Sequence, residues 1–136
     1  TYFGNDRHFG PHKYREMRAR GVRVVLGTDS IVNLPAYRCG AHTGGLGVLD
    51  EMRLLYQRDG VEPRDLLGMA TREGASALGL DPKSFLFGPT IDPMGMVAVP
   101  VSGVPSLRGV MEGDGAPRLL FIRDRSCERR PWAGRG

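Results

Sequence analysis

The side chains that could do chemistry in this sequence are few: His8, His12 and His42, Cys39 and Cys127, and a carboxylate, Asp29, placed just after an apolar run. His8 and His12 have the i,i+4 spacing that sets two metal ligands on one helix face. Gly10 and Pro11 between them break such a helix, so two surface histidines are the better reading. His42 stands among Gly40, Gly44, Gly45 and Gly47 and reads as exposed. The glycines there follow no strand and make only a weak phosphate-loop signal. The two cysteines lie far apart in no CxxC or Cys/His spacing. The count excludes a Cys₄ zinc site, the spacing argues against Cys₂His₂ and a disulfide framework, and reduced thiols in a cytoplasmic location are the expectation.

Asp29 stands out by position. Val22, Val24, Val25 and Leu26 form a short β-branched run, the kind of strand buried on both faces of a parallel sheet, and it ends in Gly27-Thr28-Asp29-Ser30. In parallel α/β folds and barrels, ligands and catalytic groups gather at the C-terminal ends of strands. A carboxylate there can bind a metal or take a proton from a metal-bound water. On position alone the plainer reading, an acid closing a turn through its own backbone, is favoured.

The elements around Asp29 follow from punctuation and periodicity. Pro11 opens a helix that Gly21 ends, and the apolar run comes next. Residues 31–47 carry Pro35 and four glycines and read as a long loop, a length often functional. A helix follows from Leu46 to Arg58 with Val48, Leu49, Met52, Leu55 and Tyr56 on one stripe, stopped by Gly60. Pro63 opens another, and Thr71 is expected to cap a further turn that closes at Gly79. After residue 82, Pro and Gly punctuate short apolar runs at Met96–Val101 and Leu119–Ile122, read as strands of a small β unit. A lone βα unit cannot bury its own faces, so this order is the end of a larger α/β domain with a small β appendage.

Size and charge agree. The 136 residues are too few for a complete barrel of about 200 residues or more. No apolar run is long enough to span a bilayer. Thr1 is followed by no signal-like segment, which leads to the expectation that the chain starts partway through a longer one. Of 19 basic residues 17 are arginines, and the stretch 123–136 supplies +3 of the net +4. A basic face on the body is therefore not indicated. Nucleic-acid binding through the tail ranks below a disordered, solvated terminus.

The segments YREMRARGVRVVLGTDS and VLDEMRLLYQRDGVEPRDLLGMATREGASALGLD resemble the C-terminal portion of the amidohydrolase superfamily, in the branch of guanine and cytosine deaminase-like enzymes and chlorohydrolases. The resemblance is most specific at 21–30 and 68–81. It continues loosely through Gly88, Ile91, Pro93, Gly95, Val97 and Val99, with Met94-Gly95-Met96 where the family has Ala-Asp. It implies an α/β chain: a C-terminal fragment of a (β/α)₈ TIM-type barrel followed by part of a small β-sandwich. Residues 1–81 would be the last βα unit and following helices, 82–124 the sandwich return, and 125–136 the tail. It also implies a hydrolase that breaks a C–N or related bond of a small heterocyclic substrate using zinc or iron. Asp29 would be metal ligand and proton shuttle, with Thr28 and Ser30 near the substrate. The family's histidine ligands have no counterpart here. The isolated chain is therefore expected to be inactive and to bind metal poorly, and to associate with the missing barrel part or with itself. The alternative is a non-catalytic remnant acting as an interaction module.

Overall fold

Two glycines with left-handed backbones divide the helical layer of the protein, for which a computed structural model describes residues 12–28 and 47–123. Helix α1 (Tyr14–Ala19) begins behind Lys13 and gives way at Gly21; its expected start at Pro11 lies outside the described residues. Helix α2 (Val48–Asp59) starts with the Gly47 amide donating to Asp50 Oδ2 at 2.8 Å. It ends at Gly60, where φ is 61°, a conformation that glycine reaches without a Cβ penalty. Helix α3 (Pro63–Ala70) has proline in its first turn, where no amide donor is needed. Helix α4 (Arg72–Ala77) follows at once.

Thr71 does not cap α4 with its side chain. Its hydroxyl instead donates back to the Leu67 carbonyl at 2.6 Å, one helical turn upstream. A 3₁₀ turn (Pro82–Phe85) comes next, with Asp81 accepting from the Lys83 amide at 2.9 Å. Strands β1 (Gly95–Ala98) and β2 (Arg118–Ile122) then pair antiparallel, and helix α5 (Leu107–Glu112) lies between them in the chain. The register runs Met96↔Phe121, then Val97↔Leu119, so Leu120 is the extra residue of a bulge. The architecture is thus a helical layer with a two-stranded antiparallel sheet, compatible with a fragment of an α/β domain.

Two expectations change. Residues 22–26 carry no ladder: 22–28 has no regular secondary structure. A strand exists only where a second strand accepts its hydrogen bonds, and none of the described residues provides one beside it. Helix α5 falls between the two runs read as strands, in a stretch for which no helix was expected. Ser106 Oγ accepts from the Gly109 amide at 3.0 Å and starts this helix inside the Pro/Gly-rich region.

The core is built from Tyr14, Met52, Leu55, Leu66, Met69 and Met111, with Val24, Leu26, Leu49 and Tyr56 among the residues packed against it. Met111 brings the C-terminal half into this cluster. Arg53 fastens that half to α2, donating through Nε to the Val110 carbonyl at 3.0 Å and through Nη2 to the Gly115 carbonyl at 2.9 Å. Tyr56 adds a hydrogen bond to Glu112 Oε1 at 2.8 Å.

Candidate functional site

The approach to the Gly-Thr-Asp-Ser turn is described up to Thr28. The Val22 amide donates to the Met17 carbonyl at 2.9 Å, which ties the start of the segment to α1. Val24 and Leu26 pack against the core, while Val25 between them is 39% exposed. This alternation is that of an extended chain with one face covered. Among the described residues, the one backbone hydrogen bond made by 23–28 runs from the Leu26 amide to the Met69 carbonyl at 3.3 Å. The rest of its backbone polar groups have no protein partner there. Thr28 is half-buried at the end of this run. Asp29 and Ser30, the loop behind them, and His8, His42, Cys39 and Cys127 lie outside the described residues. His12 is exposed, with its ring 6.3 Å from that of Tyr14.

The start of α2, where the chain returns from that loop, holds a group that sequence reasoning missed. Glu51 is 5% exposed and its Oε1 has no hydrogen-bond partner among the described residues. Burial pushes its carboxyl pKa up, against the opposing pull of the chain's amino-terminal charge and with a smaller contribution from Asp50. The signal was present in the pattern, because Glu51 lies one turn before Leu55 on the inward stripe of the helix.

The far end of α2 carries a fully satisfied polar cluster. The buried Tyr14 hydroxyl donates to Asp59 Oδ2 at 2.7 Å, and Arg58 Nε donates to Asp59 Oδ1 at 2.7 Å. Arg15 reaches the Asp59 carbonyl. The Arg58 hydrogen bond, with help from Tyr14, holds the Asp59 carboxyl below the usual range. Burial, reinforced by Asp59, pushes the Tyr14 phenol up. This cluster locks α1 to α2 and leaves no group over for catalysis.

A divalent metal needs about three protein ligands. Among the described residues no three His, Cys, Asp or Glu side chains are grouped to hold one, so these residues do not by themselves fit a metal. No helix among them is long and apolar enough to cross a membrane.

Fold and site together are compatible with part of a mixed α/β domain in which an extended run lies on a helical layer. Its family is the amidohydrolases: the amidohydrolase family model matches residues 12–84, more than half of the 136, and the chain belongs to that family. The match takes in the 22–28 approach and helices α1 to α4, and it stops at the 3₁₀ turn. The family generally uses divalent metals. No curated protein and no solved structure matches the chain.

Proposed function

We propose that this chain is the C-terminal part of the catalytic domain of a metal-dependent hydrolase, in the branch similar to guanine and cytosine deaminases and chlorohydrolases. The substrate would be a small heterocycle losing an amino or other leaving group. Residues 22–28 would be the last strand of a (β/α)₈ barrel, residues 1–81 its last βα unit with the following helices, and 82–124 a partial β-sandwich. Asp29 is the acid that the family resemblance assigns to the metal and to the proton of the attacking water. Thr28 and Ser30 would border the substrate. The histidine ligands, and the zinc or iron they hold, belong to strands outside this chain.

The observation that carries this reading is the backbone of 23–28. It is covered on one face by the helical layer and bonded to it once, and its other amides and carbonyls have no backbone partner among the described residues. Unpaired strand groups in a domain interior are costly, and a neighbouring strand satisfies them. The test uses the longest in-frame product that contains these residues. Asp29→Asn there should lower kcat by about 10²- to 10⁴-fold with folding intact. Undiminished turnover would remove Asp29 from the mechanism, whereas stoichiometric metal with turnover in the isolated 136 residues would overturn the expectation that this chain is inactive by itself.

The second reading, a non-catalytic interaction module, draws on the exposed apolar side chains of β2. An upstream reading frame carrying a His-x-His pair favours the enzyme. A start codon close to Thr1 favours the module.

A further inference from the structure

We propose that Arg18 is a positioning residue: acting through Met69, it fixes where the 22–28 run leaves the helical layer and so where its end at Thr28 is presented. The bearing of this contact on a reaction rests on the reading above, which makes 22–28 the last barrel strand. The contact itself does not.

The run hangs on two carbonyls, each in the C-terminal turn of a helix. The Val22 amide donates to Met17 near the end of α1 at 2.9 Å, and the Leu26 amide donates to Met69 near the end of α3 at 3.3 Å. Carbonyls in a last helical turn fall outside the regular ladder and are open to a passing chain. At 3.3 Å the Leu26 bond is long, so it survives only while the ends of α1 and α3 keep their spacing. Arg18 sets that spacing. It follows Met17 in α1, and its Nη1 donates to Met69 Sδ at 3.0 Å. One side chain thus ties the first anchor to the second. Met69 is fully buried, so its sulfur sits where the core puts it and cannot follow the guanidinium. Asp65, with an oxygen 4.0 Å from Arg18 Nη2, steers the guanidinium from the exposed side. The negative ends of the α1 and α3 dipoles favour a cation at this junction.

Amide exchange in the 136-residue chain tests the contact with Arg18→Met, Met69→Leu and the two combined. Arg18→Met keeps the aliphatic stem, and Met69→Leu keeps the apolar volume while removing the sulfur. Each should speed exchange at Leu26 by about tenfold, the equivalent of one charge-assisted hydrogen bond. The double variant should exchange no faster than either single one, because both remove the same interaction. Leu66 in α3 should stay protected. Unchanged exchange at Leu26, additive effects, or equal acceleration at Leu66 overturns the proposal. If Met69→Leu fails to fold, Arg18→Met alone decides. In the longest in-frame product, assayed by ammonia release from guanine and from cytosine, Arg18→Met should lower kcat by about 10- to 10²-fold and move KM by less than about threefold. Unchanged kcat, with or without a raised KM, overturns the positioning role. A wild type that turns over neither base removes the hydrolase reading for these substrates, and the exchange result still decides whether Arg18 positions the run.

Discussion

Asp59 and Glu51 sit at opposite ends of α2 and meet opposite surroundings. Asp59 accepts from Tyr14 and Arg58, and its carboxyl is held below the usual range; Glu51 accepts nothing at Oε1, and burial raises it. The consequences for stability therefore have opposite signs. A depressed carboxyl contributes stability above its unfolded value, here 3.8, and loses it as pH falls through the folded value. A raised carboxyl contributes below its unfolded value, here 4.5, and loses it as pH rises through the folded value. Asp59→Ala should cost about 1–3 kcal/mol at pH 7, because it leaves the buried Tyr14 hydroxyl without an acceptor. Urea unfolding measures this, and the gap to wild type should narrow as pH drops below the carboxylate range. An unchanged gap at acid pH would mean that lost packing, rather than the charge, sets the effect. Neither role was legible from residue type. Asp29 attracted notice because it follows an apolar run, whereas Glu51 was marked only by its place one turn before Leu55 and Asp59 by nothing in the pattern.

Much of the element order was readable. The α2 stripe of Leu49, Met52, Leu55 and Tyr56 faces the core, and Gly60 and Pro63 bound the helices where their backbone chemistry dictates. The run at 22–26 carries no ladder here because β-branched residues report a tendency to extend, while a ladder depends on a neighbour. Helix α5 was missed because Pro105 and Gly109 look like loop punctuation, yet Ser106 supplies the cap and Met111 the buried anchor. This short helix owes its place to α2. Arg53 reaches across to carbonyls on both sides of Glu112, and a Cβ on Gly115 would run into the Pro100 carbonyl. Arg53→Met keeps the aliphatic stem and removes both hydrogen bonds, which should cost about 1–3 kcal/mol. Amide exchange should quicken at Val110 and Met111 while Leu66 in α3 stays protected. Equal acceleration at Leu66 would show that Arg53 supports the whole core rather than the attachment of α5.

At the scale of the whole molecule, exposed apolar side chains gather on β2 and beside 22–28. Every residue of β2 is exposed, with Leu119 at 63%, Leu120 at 57% and Ile122 at 68%, and Val25 adds to the uncovered face of 22–28. A strand apolar on both sides is ordinarily a covered, central one, and left open it pairs with whatever strand it meets. The net charge of +4 offers little protection, since exposed charges are screened within about 8 Å at physiological ionic strength. The isolated chain should therefore self-associate as concentration rises. The double variant Leu119→Lys/Leu120→Lys should shift sedimentation toward monomer and change folding stability by no more than about 0.5 kcal/mol, as expected for substitutions at exposed positions. If the variant instead unfolds at markedly lower temperature, these leucines are buried within the folded chain in solution. If association persists at unchanged stability, the open flank of 22–28 is the surface responsible, and Val25→Lys becomes the substitution that should abolish it.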